Sequence, residues 1–147
     1  MPVAVCVFII ILDQLVKLYV QSSMGLGMSI PVIPNVFHIT YILNAAADFG
    51  ILENQRGFFI FIGILVLAAA GWFYSCLRRE NAWIRYGAAM LLGGAAGNLI
   101  DRIFQGSVVD FFDFRIWPVF NVADIAIVVG VACIIYSIVF QTKEKSV

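Results

Sequence analysis

Four segments of this chain are long and apolar enough to form membrane-spanning helices. They cover about residues 3–20, 57–77, 83–104 and 122–140, and a helix needs roughly 20 mostly apolar residues to cross a bilayer. Backbone in lipid must satisfy its own hydrogen bonds, which favours helices for these segments. The pattern therefore predicts an all-α membrane protein with four transmembrane helices.

The overall composition also indicates that much of the surface faces lipid. Of 147 residues, 63% are hydrophobic and 12% are charged, whereas a soluble domain is about half apolar and a quarter charged. A chain this short has too little interior to bury that much apolar surface, and its length predicts a single integral membrane domain, residues 1–147. The net charge is zero, which argues against nucleic acid, because nucleic-acid binding requires a basic face.

Basic residues indicate the orientation of the four segments. They flank the loop between the second and third segments and follow the fourth, and such residues mark the cytoplasmic side. We therefore expect both termini to be cytoplasmic and residues 21–56 and 105–121 to be extracytoplasmic. The basic residues concerned are Arg78, Arg79, Arg85, Lys143 and Lys145.

Two acids, Asp110 and Asp124, lie at either side of the second extracytoplasmic loop. Both ends of this loop return to the same face, so the two carboxyl groups can approach each other. Two close carboxylates cannot both ionise cheaply, so one keeps its proton and the pair titrates as a unit. Such a pair can hydrolyse an amide, because one member takes a proton from water while the other hydrogen-bonds the scissile carbonyl.

Each acid also has a simpler interpretation. Asn121 and Asp124 have the spacing of a helix N-cap and a first-turn acid. Asp110 and Asp113 could be solvated loop charges. From spacing alone, a catalytic pair and these structural roles remain open.

Polar residues inside the third segment are further candidates for a site. Asn98 and Arg102 are four residues apart and so share one helix face, with Asp101 beside it. Gly93 and Gly97 form a small-xxx-small face that lets helices approach closely. Polar groups are costly in lipid and suggest function, although a helix-end ion pair reaching to the interface is the alternative.

The first segment carries Asp13 and Lys17, which are also four residues apart. They could neutralise each other within the bilayer, and structural pairing is the better interpretation for Lys17. Asp13 could instead orient a residue of the outer face through a hydrogen bond.

Other types of catalytic site have little support in the sequence. His38 is the only histidine and there is no HExxH motif, which disfavours a serine–histidine protease and a zinc protease. The cysteines at positions 6, 76 and 133 have no CxxC or metal-type spacing, so we expect reduced packing residues. A metal site built on several histidines is therefore not expected.

The order of five motifs resembles the bacterial lipoprotein signal peptidase (signal peptidase II) family. The resemblance extends over nearly the whole chain, and the last three motifs in this order are highly specific. The motifs are DQxxK at 13–17, NAAADFG at 44–50, GGAxGNxxDR at 93–102, VVDF at 108–111 and FNxAD at 120–124.

The resemblance implies an aspartic endopeptidase and gives roles to residues of this chain. Asp110 and Asp124 match the catalytic aspartates of the family. The residues that match the polar side chains lining and supporting the site are Asn98, Arg102, Asn121, Asp13 and Asn44. The implied fold is a four-helix membrane bundle with a small extracytoplasmic β-cradle, drawn mostly from residues 21–56, and a short interfacial helix.

The resemblance also implies a substrate, an inhibitor and a location, and it implies no metal and no organic cofactor. The substrate is a prolipoprotein whose lipobox cysteine bears a diacylglyceryl group, and cleavage falls just before that cysteine. The inhibitor is the cyclic peptide globomycin, and membrane lipid surrounds the protein. The location is the bacterial cytoplasmic (inner) membrane, with the active site at the outer face.

One motif departs from the family pattern. Ala46 replaces a glycine and Asp48 replaces a small apolar residue. A glycine with positive φ at position 46 would make alanine strained there. Asp48 adds a negative charge near the proposed pair, and we expect it to modulate the pair's pKa or the choice of substrate.

Two other functions compete with a peptidase. A small transporter would use Asp13, Asp101 and Arg102 as an ion relay, but it predicts titratable groups continuing towards the cytoplasmic face, where the second and fourth segments have almost none. A non-catalytic scaffold would pack through Gly93 and Gly97. It predicts that Asp110 and Asp124 can be replaced singly without loss of function.

Overall fold

The computed structural model describes residues 2–45 and 55–141, which form a mostly helical protein with one small sheet. Two helices, Pro2–Ser23 and Val122–Phe140, are long and apolar enough to cross a membrane, and Gly57–Trp72 is a shorter apolar helix. In chain order the elements are α1 (Pro2–Ser23), β1 (Ser29–Ile33), β2 (Phe37–Asn44), α2 (Gln55–Trp72), α3 (Tyr74–Leu77), α4 (Ala82–Phe104), β3 (Val108–Asp113), α5 (Val122–Tyr136) and a terminal π-helical turn (Ser137–Gln141).

Helix α4 is the centre of the bundle and packs closely against α1. A Cβ atom built on Gly93 would lie 2.9 Å from the Cys6 carbonyl oxygen of α1. Further along both helices, a Cβ on Gly97 would lie 2.6 Å from the Asp13 carboxylate. The two helices therefore run in the same direction, and the small-residue face predicted from the sequence faces α1.

Helices α2 and α5 run opposite to α4. Gly63 of α2 lies against Leu99, and Phe59 lies beneath the Arg102 guanidinium. On the other side of α4, Gly94 lies directly against the Ala123 carbonyl at the start of α5. The four long helices thus alternate in direction along the chain.

The sheet is antiparallel in the order β1-β2-β3. β1 and β2 form a hairpin whose turn has Asn35 at φ 60 after Pro34, which suits a turn with a left-handed third residue. The pairing of β2 with β3 shifts between Ile39 and Ile42, and such an irregularity bends a strand and re-aims its side chains. On the C-terminal side of this irregularity in β2, Ile42 pairs with Asp110.

One face of the sheet packs on the end of α1. Val20 and Met24 at this end meet Tyr41, Val109 and Phe111 in one buried cluster. The predicted cradle from residues 21–56 accordingly contains two of the three strands, and 105–121 supplies the third. Outside the long helices, the described residues of these two segments are 24–45 and 105–121, and they contain no helix. Residues 46–54 lie outside the description, so the interfacial helix stays a prediction.

Candidate active site

Asp110 is a buried carboxylate held by two asparagine side chains. It lies in β3 with only 2% of its surface exposed. Nδ2 of Asn44 donates to its Oδ2 at 3.0 Å, and Nδ2 of Asn121 donates to its Oδ1 at 2.7 Å. Asn44 reaches this position because β2 pairs antiparallel with β3, which places it diagonally across from Asp110 on the same face.

A short return of the chain brings the start of α5 beside β3. Phe120 pairs with Phe112 through backbone hydrogen bonds in both directions, so residues 113–119 form a loop whose two ends lie side by side. Asn121 then follows at the edge of the sheet and caps α5, its side chain accepting from the Asp124 N–H at 2.9 Å. In return, Asp124 Oδ2 accepts from the Asn121 N–H at 3.2 Å, which completes a capping box.

Asp124 is therefore a helix-start residue and a member of the polar cluster at once. Its second oxygen, Oδ1, accepts from Asn98 Nδ2 at 2.8 Å. Asn98 Oδ1 accepts in turn from Asn121 Nδ2 at 3.1 Å. Asn121 thus connects Asp110 to Asp124 directly, and Asn98 gives a second connection. Asp124 is partly exposed, in contrast to the buried Asp110.

A buried ion cluster beneath the two acids fixes the orientation of Asn98. Lys17 is 1% exposed, and its Nζ lies 2.8 Å from the carboxylates of both Asp13 and Asp101. It also donates to Asn98 Oδ1 at 3.0 Å. Since this oxygen faces two donors, Lys17 and Asn121, the Asn98 amide hydrogens are left to face Asp124.

The carboxylates of the ion cluster also hold the backbone that carries the two candidate acids. Asp13 Oδ1 accepts from the Ala123 N–H at 2.9 Å, next to Asp124. Asp101 Oδ2 accepts from the Val109 N–H at 3.1 Å, next to Asp110. Asp13 thus hydrogen-bonds the first turn of α5, and its role in orienting a residue of the outer face stays a prediction.

Arg102 supplies positive charge to the same region. Its guanidinium stacks over Phe59 at 5.0 Å and donates to the Asn98 carbonyl at 3.4 Å. The charges of Asp124 and Asp110 both act on it. Arg102 thus offsets part of the negative charge of the two carboxylates.

The environment of Asp110 favours its protonated form. Burial, which is the largest effect, raises the pKa of Asp110 to about 6, and the negative charge of Asp124 adds to the rise. Hydrogen bonds from Asn44 and Asn121 and the charge of Lys17 oppose it. An acid with a shifted pKa next to a second acid is suited to proton transfer near neutral pH.

Asp113 has a different environment although it belongs to the same strand. Burial alone would raise the pKa of Asp113, but hydrogen bonds from Thr40 and Arg115 and the Arg115 charge together lower it. The Thr40 hydroxyl lies 2.7 Å from its carboxylate and the Arg115 guanidinium 3.0 Å. Asp113 is thus a paired structural acid at the far end of the strand.

The structure brings together most of the residues that the sequence suggested for a site. The cluster contains Asp110, Asp124, Asn44, Asn98, Arg102, Asn121 and Asp13. Ala46 and Asp48 lie outside the described residues. The pairing of Lys17 with Asp13, favoured on sequence grounds, is present.

Two residues of α1, Lys17 and Gln14, make more contacts around the site than the sequence indicated. Lys17 orients Asn98 as well as neutralising Asp13. Gln14 donates to Asp101 Oδ1 at 2.9 Å and to the Gly97 carbonyl at 3.2 Å, and so ties α1 to α4. The DQxxK motif in an otherwise apolar segment was the available signal, because polar residues in such a segment usually have partners.

Comparison with known proteins identifies the class of enzyme to which this fold and site belong. Residues 5–140 match the family model described as signal peptidase (SPase) II. The chain is 45% identical to a lipoprotein signal peptidase of Halothermothrix orenii, over 95% of each protein. It is 41% identical to a lipoprotein signal peptidase of Clostridioides difficile, over 97% of this chain and 98% of that one.

Two solved structures have the same fold. Both are described as bacterial membrane enzymes determined by the in meso method. One superposes with a TM-score of 0.86 at 35% identity and covers 99% of this chain and 91% of the other. The second has a TM-score of 0.85 at the same identity and covers 95% and 92%. The chain belongs to the signal peptidase II family, whose members cleave signal peptides from prolipoproteins.

Proposed function

We propose that this signal peptidase is an aspartic endopeptidase whose catalytic residues are Asp110 and Asp124. The observation that carries the proposal is the polar network in which Asn121 hydrogen-bonds the side chain of Asp110 and the backbone N–H of Asp124. Asp110 is buried and has a raised pKa, whereas Asp124 is partly exposed. This asymmetry suits a pair in which one member holds a proton and the other accepts one.

In the proposed reaction, water attacks the scissile carbonyl between the two acids. Asp124, as the ionised member, takes a proton from the attacking water, and protonated Asp110 donates to the carbonyl oxygen. The tetrahedral intermediate then collapses and the C–N bond breaks. The leaving amine receives the proton that Asp124 had accepted, and the oxygen that becomes the new carbonyl returns its proton to Asp110. Arg102 limits the build-up of negative charge beside the intermediate. No metal or organic cofactor has a part in this scheme.

We propose that the chain is one multi-pass domain in the bacterial cytoplasmic membrane, with both termini inside. The spans correspond to about residues 3–20, 57–77, 83–104 and 122–140, and segments 21–56 and 105–121 are extracytoplasmic. The alternating directions of α1, α2, α4 and α5 support this arrangement. The described charged side chains of the site all lie at one end of the bundle, which would place the site at the outer face.

The proposed substrate is a prolipoprotein with a diacylglyceryl group on its lipobox cysteine, cut just before that cysteine. A lipid-modified cysteine is anchored in the outer leaflet, so its scissile bond lies near the interface. The sheet and the 114–119 loop carry exposed apolar side chains, including Ile30, Val32 and Trp117, which suit contact with the membrane surface. We expect globomycin to inhibit by occupying the site of the two acids.

The decisive experiment measures cleavage by the purified protein with single Asp→Asn substitutions. With a diacylglyceryl-modified prolipoprotein, Asp110→Asn and Asp124→Asn should each reduce signal-peptide release by on the order of 10²–10⁴-fold, because each removes a proton-transfer group. Asp113→Asn is the matched control, since it removes a carboxylate from the same strand outside the pair. Retained cleavage in either of the first two variants would contradict the proposed pair.

A further inference from the structure

A cavity lies at the opposite end of the bundle from the two acids. Its volume is about 630 Å³, within the range of small-molecule sites. It is formed by the first residues of α1, the last residues of α2, the end of α3 and the first half of α4. No residue of the polar cluster described above contributes to it.

The chemistry of the cavity wall is apolar with two guanidinium groups. Arg78 and Arg85 line it, and its other lining residues are apolar or small, without a carboxylate among them. The formal charge of the wall is therefore positive. Representative apolar lining residues are Val3, Leu67, Ala70 and Leu92.

Arg85 has hydrogen-bonding capacity that the described protein leaves unused. Its Nε is buried and has no hydrogen-bond partner within 2–45 and 55–141. A buried donor without an acceptor is costly, and such groups normally have a reason to persist. A guanidinium beside an apolar wall suits an amphipathic anion, because the group binds phosphate with charge-assisted hydrogen bonds while the wall receives hydrocarbon.

We propose that this cavity binds an anionic phospholipid of the cytoplasmic leaflet, with its phosphate at Arg78 and Arg85 and an acyl chain against the wall formed by α1, α2 and α4. The exposed Trp72 and Trp83 at the same end are of the type that anchors a protein at the membrane–water interface, which is the depth of a lipid headgroup. The proposal rests on the orientation given above but is independent of the cleavage reaction.

The test is native mass spectrometry of the delipidated full-length protein in detergent, titrated with defined lipids. Phosphatidylglycerol should bind as a single copy about tenfold more tightly than phosphatidylcholine with the same chains. Arg78→Gln/Arg85→Gln should remove that preference, a loss of about tenfold, because charge-assisted hydrogen bonds are lost. Equal binding of the two lipids to the wild type would overturn the proposal.

Two controls separate this site from general attraction to basic residues. Arg79→Gln removes one positive charge beside Arg78, and Arg79 does not line the cavity, so it should leave binding unchanged. Ala70→Phe keeps both arginines but fills the cavity, so it should weaken binding even if the double variant is poorly folded. An equal loss in Arg79→Gln, or full binding by Ala70→Phe, would refute the site.

A headgroup without chains identifies the source of the phosphate. Glycerol phosphate should compete with phosphatidylglycerol only weakly, because it gains nothing from the apolar wall. Competition by glycerol phosphate at the same concentration as the lipid would show a site for free phosphate compounds and would overturn the lipid assignment.

Discussion

The side-chain amide of Asn121 donates to Asp110 Oδ1 at 2.7 Å. The same side chain accepts the Asp124 N–H and so begins α5. One residue therefore holds the first candidate acid and sets the backbone of the second. Most substitutions of Asn121 would therefore disturb both the helix cap and the proposed catalytic pair. The two roles are separated only by a side chain that still caps the helix but cannot donate to Asp110.

Asn121→Ser is such a substitution. Serine caps a helix about as well as asparagine, but it cannot supply the amide donor to Asp110. We expect cleavage to fall strongly in Asn121→Ser, while its stability exceeds that of Asn121→Ala by about 1 kcal/mol. Thermal unfolding in detergent and signal-peptide release, measured on both variants, check this. Wild-type cleavage by Asn121→Ser would mean that the amide donor has no part in the reaction.

The pH dependence of cleavage should have a descending limb controlled by Asp110. Its pKa is raised to about 6, so the protonated form is lost as the pH rises through this value. kcat/KM should then fall by up to tenfold per pH unit above it. The apparent pKa values read from such a profile belong to the pair of acids rather than to either residue.

Asn44→Ala should move this descending limb to higher pH. The Asn44 hydrogen bond lowers the pKa of Asp110, so its loss favours the protonated carboxyl group. The measurement is a pH–rate profile of both proteins on one substrate. A limb that moves to lower pH would contradict the assignment of the proton to Asp110.

Lys17 should be among the most important single residues for stability. Lys17→Met would leave Asp13 and Asp101 buried without their cation, a change that costs about 3–5 kcal/mol. Arg115→Gln is the control, because Arg115 is half-exposed and exposed ion pairs contribute only about 0–1 kcal/mol. Unfolding curves of the two variants should therefore differ clearly, and similar curves would mean that the buried cluster contributes little.

Close packing of α4 on α5 predicts a strong effect of one methyl group. A Cβ on Gly94 would collide with the Ala123 carbonyl, one residue before Asp124, so Gly94→Ala should cost about 1–3 kcal/mol and reduce cleavage. Gly57→Ala in α2 meets nothing within 4 Å and should be nearly neutral or slightly stabilising. The comparison needs thermal unfolding and a cleavage assay on both, and equal stability would exclude a tight contact at Gly94.

Asp48 is predicted to act on the pair through its charge. Asp48→Ala removes one negative charge, which should lower the apparent pKa of the pair or change the range of accepted substrates. A pH–rate profile and a panel of prolipoproteins are the measurements. An unchanged profile together with unchanged preferences would exclude a modulating role.

Sequence patterns were sufficient to predict the local features of the site. Asn121 and Asp124 were expected to start a helix, and they do so with a complete capping box. The alternative interpretation of Asp124 as a first-turn acid was therefore correct for its position in α5. It did not exclude membership of the polar cluster, because a capping acid has a second oxygen free for another donor.

The sequence by itself determined the long apolar helices, the helix start at Asn121 and the small-residue faces of α4, because these follow from local periodicity, side-chain chemistry and the requirements of lipid. Only the tertiary structure decided which polar groups meet. Asn44 and Asp110 are 66 residues apart and Asp13 and Ala123 are 110 apart, and their contact depends on strand register and helix packing. The asymmetry between the buried Asp110 and the more open Asp124 arises in the same way, since burial is a property of the assembled fold.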